Sequence, residues 1–193
     1  MTVYYTGAAQ HPPNVIKFDF YYMHCVNCSI FFSAFLRAPW LSTHNKRRLL
    51  EWKARNDLAM YASRRAPKLL LDEIRNYRPK EPTPAANGNA KEGAEVDPWA
   101  RIYERVNQHE DDGHGAKLVR ALAHGQVICA PYESKDAFRI KGEDWLKLGH
   151  MAIDSVEIGD PHWVRSCGFE EAWKDIPKRP ESNGYRAEQY QEA

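Results

Sequence analysis

A chain of 193 residues can bury one substantial core, and its formal charge of +1, with 27% of residues charged, lacks the basic excess that nucleic-acid binding calls for. No apolar run reaches the roughly 20 residues of a membrane span, and the opening MTVYYTGAAQHPPN lacks the charged start and apolar middle of a secretory signal. Four cysteines are too few for a disulfide scaffold. The expectation is a cytoplasmic, soluble protein with reduced thiols and neither nucleic acid nor membrane as partner.

Apolar residues recur at intervals of three and four over long windows and never settle into strand-like alternation, which predicts an all-α, multi-helix array. The first helix is expected from Ile16 to Arg37, stopped by Pro39. A second, capped by Ser42 or Thr43, carries RRLLEWKARNDLAMYASRR to Pro67, and KLLLDEIRNY gives a shorter third. Residues 78–98, RPKEPTPAANGNAKEGAEVDP, have almost nothing to bury and read as a flexible loop inside a single helical domain spanning 1–177.

Beyond the loop, PWARIYERVNQHEDD places Pro98 at a helix start, and DDGHGAKLVRALAHG is expected to end at Gly125. GEDWLKLGHMAIDSVE and FEEAWKDI supply the last two helices, and residues 178–193 read as a disordered tail.

Chemistry is concentrated in two segments. In FDFYYMHCVNCSIFF, helical spacing puts Phe20, Cys28, Phe31 and Phe35 within about 40° of His24, so the imidazole is expected to point inward and to need a hydrogen-bond partner or a metal. The CxxC of Cys25 and Cys28 has zinc-like spacing but no second pair nearby, and small buried thiols at a helix interface explain it better than structural zinc. In EDDGHGAKLVRAL, the apolar stripe through Leu118 and Ala121 passes through His114, with Lys117 at its edge.

A histidine and a lysine three apart on an inward stripe are unusual for a helix that only packs; the bland alternative is a packed histidine and a snorkelling lysine. Asp111 and Asp112 suit the helix start. His150 points away from its helix's buried stripe, and His11, His44, His109, His124 and His162 read as surface residues. No Gly-rich phosphate loop, HExxH or GxSxG occurs.

The segments AAQHPPNVIKFDFYYMHCVNCSIFF, KRRLLEWKARNDLAMYASRRAP, EDDGHGAKLVRALAHG, WLKLGHMAIDSVE and WVRSCGFEEAW, in this order, resemble the C-terminal half of the questin oxidase-like family, which includes Baeyer–Villiger-type oxidases of fungal polyketide pathways. The resemblance implies an oxidoreductase that oxygenates or cleaves a ring of an anthraquinone or related polyketide, with NADPH as reductant. It also implies a non-haem iron centre built from histidines and a carboxylated lysine. Carried over by position, the ligands and catalytic residues are His24, His114 and Lys117, and Phe20, Tyr21 and Phe31 would line the substrate pocket. Because family members are longer, the alternatives are a truncated, catalytically inactive helical fragment or a binding module for a protein or hydrophobic ligand. Self-association or pairing with a complementing N-terminal half would then be expected.

Overall fold

The computed structural model describes residues 1–80 and 97–180. Within them the chain forms eight α-helices: α1 (Thr2–Ala8), α2 (Phe20–Ser29), α3 (Phe32–Arg37), α4 (Thr43–Ser63), α5 (Leu71–Arg75), α6 (Pro98–Gln108), α7 (His114–Cys129) and α8 (Asp144–Glu157). Two short 3₁₀ turns, Ala130–Tyr132 and Glu170–Trp173, complete the elements. No strand occurs among the described residues, so the all-α expectation holds, with two isolated bridges, Asn14 to Lys178 and Asp19 to Val164, as the only β-type pairing there.

The core is built on α7 and α8. Leu118, Val119 and Leu122 of α7 meet Leu148, Met151, Ile153 and Val156 of α8, and Met23, Val26, Ile74 and Ile102 close the cluster from α2, α5 and α6. A smaller cluster around Tyr5, Tyr22, Cys167 and Trp173 joins the N-terminal segment to the C-terminal one.

The predicted helix over 16–37 is divided. Ile16–Phe18 are extended, with Val164 N–H donating to Phe18 O, and the helix begins only where Asp19 caps it by accepting from Tyr21 N at 2.8 Å and Tyr22 N at 3.2 Å. It loosens at Ser29, whose hydroxyl donates to Val26 O at 2.6 Å, and Ile30 and Phe31 revert to i→i−3 bonds before α3 starts. The expected stop at Gly125 does not occur, because α7 runs on to Cys129. Gly125 is a packing residue: a Cβ there would lie 2.7 Å from Trp145 Cζ3. Gly125→Ala is therefore expected to destabilise the fold by about 1 to 3 kcal/mol through overpacking, as a lowered midpoint in urea unfolding.

The last predicted helix, FEEAWKDI, shrinks to the turn Glu170–Trp173. α1, absent from the sequence expectation, is built from weak helix formers and is held by packing: Tyr5, Thr6, Gly7 and Ala8 are all buried. The supposed tail begins later than Lys178, since Arg179 pairs with buried Glu73 at 2.6 Å and its N–H donates to Pro13 O. Of the expected loop, residues 78–80 and 97–98 are described, and Lys80 N–H donates to Asp154 while Pro98 opens α6. Positions 81–96 and 181–193, where the rest of the loop and tail expectations fall, lie outside the described residues.

Lys17 is fully buried and donates to Ser155 O at 2.6 Å and Gly159 O at 2.9 Å, at the C-terminal end of α8 where a cation suits the helix dipole. Burial lowers its pKa to about 8 despite the charge of Asp160. The unfolded chain thus holds more protons than the folded one between about 8 and the free lysine value, so stability rises with pH through that window. The rise should be larger in the parent than in Lys17→Met, compared by urea unfolding at pH 7.5 and 9.5.

Candidate functional site

Asp19 organises the region where the chemistry lies. One carboxylate oxygen caps α2, and the other accepts from Cys167 N at 2.9 Å, which fastens the first turn of α2 to the segment that carries Trp163 and Arg165. Phe20, the first residue of α2, then sits against His114, the first residue of α7, with ring centroids 5.0 Å apart.

His24, one turn further along α2, packs edge-on against both: 4.7 Å from Phe20 and 5.1 Å from His114. Trp163 lies 6.4 Å from the rings of Phe20 and of His114, and the Arg165 guanidinium is 4.7 Å from the Phe20 centroid.

The three residues singled out from the sequence converge, but not in the expected way. His24 is exposed rather than inward-pointing: the buried face of α2 is Tyr22, Met23, Cys25 and Val26, because Asp19 and not Ile16 sets the helix start and hence its rotation on the core. Cys28 is exposed for the same reason, while Cys25 is buried, so the two thiols do not fill one interface. Lys117 is also exposed, since α7 turns Gly115, Leu118 and Val119 to the core and leaves His114 half-buried at the margin.

Electrostatics nevertheless links them. The His24 pKa is lowered by burial first, then by the charges of His114 and Lys117, with Asp112 pulling the other way. The neutral imidazole, which is the form able to ligate a metal, is thereby favoured.

The two aspartates at the head of α7 divide the work. Asp111 accepts from Gly113 N at 2.6 Å and Gly115 N at 2.8 Å, an ordinary helix-start role. Asp112 instead places Oδ1 against the Nδ1 of His114, and this contact depresses the Asp112 pKa. A carboxylate on one ring nitrogen fixes the tautomer and leaves Nε2 as the free electron pair, the usual support for a ligating histidine. Sequence spacing marked Asp112 only as a cap; its place two residues before a histidine was the available signal.

The expected aromatic pocket divides too. Phe20 belongs to the histidine cluster, Tyr21 lies beneath the Arg64 guanidinium at 4.0 Å, and Phe31 is 54% exposed in a separate groove. That open groove, about 590 Å³, is lined by Phe31, Trp99, Tyr103, Arg120 and His124 and contains neither Phe20 nor Tyr21. His124 is thus not a plain surface residue: its Nε2 lies 2.8 Å from Ser33 Oγ.

The pairs His24 with His114 and Ser33 with His124 show that the α2–α3 ridge and α7 run side by side in the same direction. The groove follows the histidine cluster along this seam.

The other histidines are more buried than expected. His11 stacks on Trp173 at 5.2 Å, His109 packs edge-on to His162 at 5.8 Å, and His150, whose pKa burial lowers, keeps a buried Nδ1 without a partner among the described residues. Only His44 is fully on the surface as predicted, at the start of α4.

The model of the questin oxidase-like family matches residues 1–122. The chain is 39% identical over 182 residues to the Baeyer–Villiger oxidase ptaJ of Pestalotiopsis fici, covering 92% of this chain and 38% of that protein. It is 37% identical over 180 residues to the questin oxidase of Aspergillus fumigatus, covering 90% and 37%. With the oxidoreductase AflY of Aspergillus parasiticus it shares 35% over 205 residues, covering 91% and 39%. The chain therefore spans less than two-fifths of the length of these fungal relatives. With its family signature extending through the histidine cluster at the head of α7, the chain belongs to the questin oxidase-like family.

Proposed function

We propose that this chain is the part of a questin oxidase-like oxidoreductase that carries ligands for a ferrous ion and one wall of the site for a flat, polyketide-derived quinone. The observation that carries the proposal is the meeting of His24 and His114, ninety residues apart in sequence, with Asp112 holding the second ring nitrogen of His114. Family membership and the relatives' names, questin oxidase and Baeyer–Villiger oxidase, support the reaction class.

The donor set fits part of an iron site. His24 and His114 offer neutral imidazole nitrogens, and Lys117, adjacent in charge to both His24 and Asp112, would join as an oxygen donor once its neutral amine adds CO₂ to give a carbamate and a proton. Bound iron would supply the activation of O₂ that the protein's side chains cannot. The chain's own residues do the rest. Asp112 orients His114, partial desolvation and then the charges of His114 and Lys117 favour the neutral form of His24, and Phe20, backed by Trp163 and Arg165, gives a flat surface beside the imidazoles. The groove at Phe31, Trp99 and Tyr103 has the size and aromatic lining of a site for a three-ring compound. NADPH as the reductant belongs to the same reading.

A second reading, a helical module without turnover of its own, is favoured by a specific observation: among the described residues no three His, Cys, Asp or Glu side chains are grouped to hold a metal. Oxygen uptake separates the two. The chain, loaded anaerobically with ferrous iron and then given NADPH, air and a hydroxyanthraquinone, should consume O₂ in proportion to quinone lost, and should stop doing so as His24→Ala. Quinone-independent uptake, or none from an iron-loaded chain, would favour the second reading.

A further inference from the structure

The strongest feature not absorbed by the site is α4. It has 21 residues and buries Asp57 alone, and the neighbouring α3 buries none. At 100° per residue, Leu49, Leu50, Lys53, Asp57 and Met60 share a sector about 100° wide. The C-terminal half of that sector lies on the body of the protein, where Met60 and Tyr61 join the smaller core cluster and the Tyr22 hydroxyl donates to Tyr61 O at 3.1 Å. The N-terminal half projects past the core with the same stripe uncovered: Leu49 is 36% exposed and Leu50 43%, beside Leu36 at 44% and Trp40 at 77%.

A helix earns its stability from the apolar stripe it buries, so a stripe half buried and half bare is a face that lacks its counterpart.

We infer that this α3–α4 face is the docking surface for the portion of a questin oxidase-like polypeptide that lies outside the region this chain matches. Two observations select that occupant. The relatives carry this region as only 37–39% of their length, so most of a relative's mass must pack against it somewhere. α3 and α4 also both pack against α2, the helix that carries His24, so a body seated on this face lies on the side of the molecule where the imidazole pair is.

Charge does not choose the occupant: Lys46 and Lys53 fall within the apolar sector, Lys53 paired with Asp57, whereas Arg47, Arg48 and Arg55 lie on the opposite side of α4, the last two paired with Glu51. The inference rests on family membership and the exposed face, and not on iron or turnover.

The test replaces the matched stretch of the Baeyer–Villiger oxidase ptaJ with this chain and compares hydroxyl-radical oxidation of the whole chimera with that of this chain alone. Trp40, Leu49 and Leu50 should lose most of their reactivity in the chimera, while Leu58, which points out of the shared sector, keeps its own. Leu50→Asp should lower the melting temperature of the chimera and leave that of this chain unchanged. Three outcomes overturn the inference: Trp40 as reactive in the chimera as in this chain, a chimera that does not fold, or protection that grows with the concentration of this chain alone and so gives the face to a second copy.

Discussion

Replacing His114 with alanine is expected to abolish ferrous binding, a loss on the order of 100-fold or more in affinity, while the fold persists. The fold should survive because the ring sits at the margin of α7, half-buried, and its removal empties no part of the core, which begins one turn later at Leu118. Asp112→Asn is the informative companion. An amide cannot hold the ring nitrogen as a carboxylate does, and the variant should lose roughly 10-fold to 100-fold. Equilibrium dialysis under nitrogen reads both.

The pH dependence follows from His24. Its pKa is depressed, so the neutral ligand form persists below the range of an ordinary histidine, and binding should weaken only as pH falls through that lowered value. In Lys117→Met, with one of the depressing charges gone, the His24 titration followed by NMR should move upward.

The largest stability effect is expected at Asp154. Its carboxylate is buried at 1% exposure and accepts from the Tyr77 hydroxyl at 2.5 Å, Arg105 Nη2 at 2.5 Å and Lys80 N at 3.1 Å, tying α8 to α6 and to the segment after α5. Burial first, and then the Asp154 carboxylate, drive the Tyr77 phenol well above its ordinary range, so Tyr77 acts as a donor at any working pH.

Removing the acceptor strands a phenol and leaves Arg105 with Glu157 alone, at 2.6 Å and near the surface. Asp154→Ala should cost about 3 kcal/mol, the lower end for a broken buried pair because Glu157 retains part of the guanidinium's charge. Asp154→Asn keeps one acceptor oxygen and should cost less. Urea unfolding of both variants against the parent, with unchanged slopes, checks the order.

How far the sequence was legible depends on which physical signal each element carries. α4 and α6 were readable because they begin at side-chain or proline signals, Ser42 and Pro98, and α8 because it keeps a helical apolar period. α1 was not, because Tyr4, Tyr5 and Gly7 favour no helix and form one only through packing on residues distant in sequence, such as Tyr22, Ile74 and Leu148.

Gly125 looked like a terminator because glycine has two uses, and only the position of Trp145 shows that close approach is the one in force. The structure brings His24 and His114 together, but the inward direction expected from helical spacing fails for His24 and Lys117, which are exposed, while His114 is half-buried at the margin. A helical wheel gives relative angles and not the rotation of the helix on the core, which Asp19 fixes through Cys167, a contact between residues 148 apart. The same limit hid the pairing of His124 with Ser33.

The most direct test of the central claim is X-ray absorption at the iron edge on the chain loaded anaerobically with ferrous iron. The account predicts bound iron whose scattering contains two imidazole rings in the parent and one in His24→Ala. Iron that does not bind to the folded chain, or a shell without imidazole that the substitution leaves unchanged, would contradict it.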